Sequence, residues 1–212
     1  MNVYQESQFL IAVDCVIFGF DGEHLKLLLV KRAVEPCINQ WSLMGGFLKT
    51  GEDLQLAADR VLHSLTGLER IYLEQVGTFG KVERDKGGRV VSVAYCALIN
   101  PDNQNKPLSK DFSASWFSLE NLPPLVFDHL DMVNAAKKHL QDKAEREAVG
   151  FNLLPEKFTM RELQNLYEAI FERKFDKRNF NKQMMAMGGL HRLTEKDKTT
   201  SRKGSFYFQF KS

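Results

Sequence analysis

Three cysteines, six prolines and two tryptophans in 212 residues leave this chain with few covalent or conformational constraints. Cys15, Cys37 and Cys96 lie far apart and are odd in number, and neither a CxxC nor a Cys/His spacing accompanies them. That excludes a disulfide framework and a zinc site as organising features and leaves reduced, structural thiols as the expectation. No apolar run reaches the ~18 residues of a membrane span. The opening stretch MNVYQESQFLIAVDCVIFGF lacks the basic start and small-residue cleavage site of a signal peptide. A cytoplasmic protein with no membrane partner is expected. Repeats and low-complexity tracts are absent as well, and neither sign of charge dominates, the formal net being +2.

The distribution of charge is more informative than its sum. Residues 1–149 hold 16 Lys+Arg against 20 Asp+Glu, whereas residues 150–212 hold 13 against 7. An acidic body followed by a basic module implies two kinds of ligand, the second a polyanion. The length accommodates one medium domain and one small one, and the 43% hydrophobic content is enough for a packed core.

Pattern supports the same division. FLIAVDCVIFGF and LKLLLVKR read as strands joined by the turn DGEH. WSLMGGF leads into a helix over Glu52–Leu65, with apolar positions Leu54, Ala57, Ala58, Val61, Leu62 and Leu65 and a stop at Gly67. IYLEQVGTFG and RVVSVAYCALIN form a second hairpin, ASWFS a short strand, and Leu130 to about Arg146 a helix with Val133, Ala136 and Leu140 inward. The expected fold class is therefore α+β, with helices on a mixed sheet over residues 1–149. Gly150 and Pro155 mark a joint. Beyond it, Thr159 and Glu162 form a capping box for a helix whose face is Leu163, Leu166, Tyr167 and Ile170. Asp176 caps a second helix ending at Gly188–Gly189, with Phe180, Met184 and Met187 inward. An alternating strand pair around the basic loop DKTTSRKG completes a winged helix-turn-helix over residues 150–212.

A recognition helix needs long donors near its start, where they reach phosphates and base edges. Lys177, Arg178, Asn181 and Lys182 meet that need, and Arg202 and Lys203 supply a basic wing tip. Arginine bonds guanine bidentately and asparagine bonds adenine. The alternative for each is a solvated helix face or hairpin tip.

The stretch GGFLKTGEDLQLAADRVLHSLTGL, Gly45 to Leu68, resembles the Nudix box, G-x5-E-x7-R-E-U-x-E-E-x-G-U with U apolar. Gly46, Glu52, Arg60, Leu62, Gly67 and Leu68 match. Val61, Ser64 and Leu65 stand where the family places acids, so the resemblance implies the fold and a pocket without hydrolysis, metal or cofactor. Glu52 then pairs with Arg60 or caps the loop. Over its whole length the chain resembles the Nudix-related transcriptional regulators, a Nudix-like α/β/α sandwich followed by a winged helix. WSLMGGF, RVVSVAYCALIN, GFNLLP and YEAIF lie nearer the arabinose-responsive AraR-like branch than the ADP-ribose-sensing NrtR branch. The resemblance implies a homodimer through the Nudix-like domain, operator DNA as one partner, and a small effector, a sugar such as L-arabinose with ADP-ribose as the alternative. Relief of repression by that effector is the default expectation, and the sequence does not fix its sign. The effector cleft is expected around Lys31, Arg32, Trp41, Gly45, Gly46, Phe127, Asp128 and His129. Trp41 is either a sugar-stacking ring or plain core; Asp128 either accepts hydroxyl bonds or caps the helix that follows; His129 is either a ligand contact or a satisfied histidine. Two rivals remain open at this point: a hydrolase with relocated metal ligands, and an adaptor whose winged helix contacts protein.

Overall fold

The computed structural model describes residues 9–69, 71–100, 114–150, 153–199 and 204–210. The chain packs as two compact units, one of Met1–Phe18, Leu27–Ala97 and Asn105–Ala136, the other of Gly19–Lys26, Leu98–Gln104 and Lys137–Ser212.

The larger sheet is built around β1 (Leu10–Phe20), whose last nine residues are all buried. A strand covered on both faces reads as a near-continuous apolar run, which is why this stretch shows no polar alternation and Asp14 is its one charged residue. β2 (Leu25–Lys31) and β6 (Val90–Leu98) flank β1, with β3 (Trp41–Ser42) beyond β2 and β5 (Glu74–Phe79) beyond β6. β4 (Met44–Phe47) pairs with β1, and β7 (Ala114–Ser118) pairs with β2. The β5–β6 pair is antiparallel, as the second hairpin requires. The piece WSLMGGF is two short strands parted at Leu43.

Helix α1 (Leu54–Thr66) follows β4. Asp53 is its N-cap, accepting from the Leu56 amide at 2.9 Å, so the helix begins two residues later than the Glu52 start read from the sequence. Gly67 ends it at φ 75°, where only glycine is free of strain, and returns its N–H to the His63 carbonyl at 2.8 Å. Ala57, Ala58, Val61 and Leu62 are buried against the sheet side, as the periodicity predicts. Helix α2 (His129–Arg146) buries Val133, Ala136 and Leu140, with Met132 and Ala144 extending the stripe.

In the second unit, Thr159 and Glu162 make both halves of the capping box at the start of α3 (Met160–Phe171). Asp176 caps α4 (Lys177–Met187) by accepting from the Asn179 amide at 2.9 Å. β9 (Leu190–Asp197) and β10 (Ser205–Phe210) are antiparallel. A two-residue strand that sequence reading did not anticipate, β8 (Phe158–Thr159), pairs with the far side of β10. Leu163, Leu166, Tyr167, Ile170, Phe180, Met184 and Phe208 form the core of this small module. Met187, expected in that stripe, is only half-buried. Together these elements are the expected α+β architecture, with helices packed on a mixed sheet and a helix-turn-helix with a β-wing.

Candidate functional site

The two glycines that open α1's loop are demanded by packing. In the β1–β4 register Gly45 lies opposite Asp14 and Gly46 opposite Val13. A Cβ on Gly45 would fall 2.2 Å from Asp14 Oδ1, and one on Gly46 2.7 Å from Val61 Cγ2. Val61 therefore fills the space that the missing Gly46 side chain leaves. Ser64 spends its hydroxyl on the Val61 carbonyl of its own helix at 3.0 Å, and Leu65 is half-buried. Glu52 is the one acid of the motif that remains, and Arg60 grips it from Nε at 2.9 Å and from Nη2. The same Nη2 also donates to the Phe47 carbonyl at 3.0 Å, and Glu52 Oε1 accepts from the Lys49 amide at 2.7 Å. Arg60's hydrogen bond, helped by that amide, lowers the Glu52 carboxyl to about 2. This is a clamp that ties the loop to the helix, the structural role weighed for it from sequence. A divalent cation needs several free oxygen donors. A valine, a leucine, a hydroxyl bonded to its own helix and a carboxylate locked to arginine do not fit one. Among the described residues no group of three or more His, Cys, Asp or Glu is placed to hold a metal ion.

A buried polar network lies beside Gly45. Asp14, 4% exposed in the middle of β1, accepts from Ser92 Oγ at 2.6 Å. Arg84 of the β5–β6 connection approaches Asp14 at 3.8 Å and closes a two-toothed pair on Asp128 at 2.7–3.1 Å. The Asp128 carboxylate is thus spent on Arg84 and does not cap α2; only its backbone carbonyl serves that helix, accepting from Asp131 and Met132. This corrects the cap reading, and the reason is distance: the arginine that claims the carboxylate is 44 residues away. His129, 2% exposed, accepts at Nδ1 from the Leu43 amide at 3.1 Å, so its proton belongs on Nε2, which faces Asp14 Oδ1 at 3.6 Å. Burial lowers its pKa, Arg84 acting in the same direction against Asp14, so it is a neutral, satisfied histidine.

Above this network is a cavity of about 440 Å³, in the range of small-molecule sites, formed by the β2–β3 and β5–β6 connections and the segment before α2. Gln40, Lys81, Arg84, Lys86, Phe127 and Asp128 line it. Lys81 is paired with Asp131 at 3.1 Å, whereas Lys86 has no acidic partner among the described residues. Phe127 adopts a left-handed φ of 52°, which costs about 1 kcal/mol or more for a non-glycine residue. The Arg32 guanidinium stacks over it at 5.0 Å while its Nε donates to the Pro36 carbonyl.

Of the expected effector residues, Phe127 and Asp128 line the cavity; Arg32 stacks on Phe127, His129 and Gly45 adjoin Asp14 in the network beneath, and Gly46 packs on Val61. Lys31 and Trp41 face each other across β2 and β3, the ammonium 5.3 Å from the ring, and Trp41 meets Phe117 edge-on at 4.7 Å. Neither lines the cavity. Asp14, Ser92, Lys81, Arg84 and Lys86 went unread. Asp14 and Ser92 did carry a signal: each is a lone polar residue inside an apolar strand, and a buried charge demands partners.

In the second unit Lys177, Arg178 and Lys182 are exposed along the first turns of α4. None has a carboxylate partner among the described residues, while Lys137, Lys138, Lys157 and Lys174 pair with Glu172, Asp142, Glu195 and Glu168. Helix α4 thus presents unneutralised positive charge. Asn181 is half-buried, its Oδ1 enclosed with no partner among the described residues. Arg202 and Lys203 lie outside the described residues.

A Nudix-type sheet and helix with an eroded metal face, followed by a winged helix with a basic recognition helix, defines a class of two-part proteins. Comparison with known proteins sharpens it. The family model for the NUDIX domain matches residues 8–141, and the model described as the NrtR DNA-binding winged helix domain matches residues 150–210. The chain belongs to the Nudix-domain family, in its NrtR-type form with a C-terminal winged helix. It is 34% identical over 214 residues to the ADPR responsive transcriptional repressor NtrR of Acinetobacter baylyi, covering 98% of this chain and 85% of that one. The crystal structure of Shewanella oneidensis NrtR complexed with a 27mer DNA superposes with a TM-score of 0.84 at 29% identity, covering 95% of this chain and 93% of that one. The NUDIX domain of the same NrtR complexed with ADP ribose gives a TM-score of 0.58 at 32% identity, over 66% of this chain and 94% of that one. These likenesses overturn the arabinose-responsive placement read from WSLMGGF, RVVSVAYCALIN, GFNLLP and YEAIF. Such short apolar segments are constrained by the fold that both branches share, so they do not discriminate effectors.

Proposed function

We propose that this chain is a transcriptional repressor in which a Nudix-like domain, residues 1–149, senses ADP-ribose and a winged helix, residues 150–212, binds operator DNA. The 34% identity to an ADPR responsive repressor across nearly the whole chain carries this reading. The chemistry agrees with it. A pyrophosphate needs cationic or amide donors, and the cavity over the Arg84–Asp128 pair is lined by Lys86, which has no acidic partner among the described residues, and by the exposed Lys81, with Glu83 as the acid beside them. A neutral pentose would need no such set. Arg32 and Phe127 offer a flat cation and a ring edge for a base or ribose. On the other module, Lys177, Arg178 and Lys182 are free to meet phosphates and base edges, with Asn181 beside them.

The working unit is a homodimer through the Nudix-like domain, so that two winged helices meet a two-fold operator. ADP-ribose lowers DNA affinity only by the ratio of its affinities for the two arrangements of that dimer. The cleft binds without hydrolysing, because α1 carries Val61, Ser64 and Leu65 where acids would seat a divalent cation.

A thermal melt in EDTA tests this. ADP-ribose at 100 times its dissociation constant should stabilise the protein by about 2.7 kcal/mol, and L-arabinose should leave the melt unchanged. Stabilisation by arabinose alone would refute the effector assignment. Sustained Mg²⁺-dependent consumption of ADP-ribose would refute the inactive cleft.

A further inference from the structure

Strand β9 carries a second set of unneutralised cations. The Arg192 guanidinium lies 4.6 Å and the Lys196 ammonium 4.4 Å from the centre of the Phe206 ring on β10. Four residues of regular strand span roughly 13 Å, too far for both side chains to be delivered to one ring without local contraction. The β9–β10 register supplies that contraction. Lys196 is opposite Phe206 and Arg192 opposite Phe208, so β9 advances four residues while β10 advances two. Irregularities of this kind re-aim side chains.

How the charges are held matters. An ion pair would fix each cation but cancel its charge; an aromatic face holds a cation and leaves its charge available. Neither Arg192 nor Lys196 has a carboxylate partner among the described residues, and both are exposed. The acid between them, Glu195, is occupied by Lys157 at 2.6 Å. Asp197, the next acid along, is turned into the wing, accepting from the Thr199 amide at 2.8 Å and from its hydroxyl at 2.6 Å. Two positive charges are therefore held at fixed places with their side-chain freedom already reduced, the condition under which binding loses least entropy.

We propose that Arg192 and Lys196, propped on Phe206, form a phosphate clamp that grips the backbone of duplex DNA from the wing strands, apart from the recognition helix and the loop tip. This rests on the DNA-binding reading above. Its consequences separate charge from positioning. Removing both charges should remove about two phosphate contacts from the salt dependence of binding. Removing the ring should leave the number of charges intact and weaken the grip.

The test uses the full chain and a labelled duplex that the unaltered protein has enriched from a random pool, with affinity measured by anisotropy across salt concentrations. Arg192→Gln with Lys196→Gln should reduce the slope of log affinity against log salt by about 2. Lys138→Gln, which removes an exposed but ion-paired lysine of α2, should leave the slope unchanged. Phe206→Leu, checked for an unaltered thermal melt, should keep most of the slope and lose several-fold in affinity. A double glutamine variant with the original slope and affinity would overturn the clamp and leave the DNA reading standing. Unchanged affinity in Phe206→Leu would overturn the role of the ring. Failure of the unaltered protein to enrich any duplex would overturn both proposals.

Discussion

Replacing Asp128 by alanine strands a buried guanidinium. The Arg84 side chain is 2% exposed and that of Asp128 10%, and three contacts of 2.7–3.1 Å join them. Removing one partner of such a pair costs about 3–5 kcal/mol, because the other charge loses both water and its counter-ion. Here the lower end applies, since Asp14 stays 3.8 Å from the same guanidinium. A loss of about 3 kcal/mol lowers the melting midpoint by roughly 6–12 °C for a domain of this size. Urea unfolding followed by tryptophan fluorescence reads it as a lower midpoint with an unchanged slope, because Trp41 and Trp116 both lie in the first unit. Arg84→Met with Asp128→Leu should be more stable than Asp128→Ala, since removing both charges removes the stranded one. A loss below about 1 kcal/mol in Asp128→Ala, or a double variant less stable than the single, would refute the network as described.

Other predictions follow from the same geometry. Glu52, held at about 2, contributes stability that is present above the ordinary carboxylate value of ~4.3 and is lost as pH falls from there towards 2. Thermal melts of Glu52→Gln between pH 6 and pH 2 should therefore show a shallower acid loss than the unaltered protein. Gly46→Ala forces a methyl to 2.7 Å from Val61 and should cost about 1–3 kcal/mol in denaturant unfolding, with Val61→Ala restoring part of it. Arg178→Ala should weaken binding to an enriched duplex by about 1–3 kcal/mol and relax its preference at one base position; an unchanged affinity would show that α4 does not read that base.

The parts of this molecule that were legible in advance are those whose causes are local. Asp176, the Thr159–Glu162 box and Gly67 act within four residues of the ends they set, and the stripes of α1 and α3 follow from helical period alone. The buried network was illegible because its members are joined by the sheet: Asp14 meets Ser92 78 residues away, and Arg84 meets Asp128 across 44. Asp14 in an apolar strand announces that a partner exists without saying which. β8 escaped because two residues carry no period of their own; they are a strand only because β10 is there. The pairing of Arg192 and Lys196 on Phe206 was hidden for a related reason, since a register irregularity belongs to two strands and to neither alone. Gly45 and Gly46 were expected in the effector cleft. Their spacing is equally satisfied by Asp14 and Val61, and only the register makes that visible.

The proposed cleft senses ADP-ribose and leaves it whole. The most direct measurement follows the anisotropy of the enriched duplex bound to the full chain after a single addition of ADP-ribose in the presence of Mg²⁺, over hours. A fall that persists is the expected result, because the ligand releases DNA and is not consumed. A fall that reverses with time as ADP-ribose is hydrolysed, or no fall at saturating ligand, would contradict it.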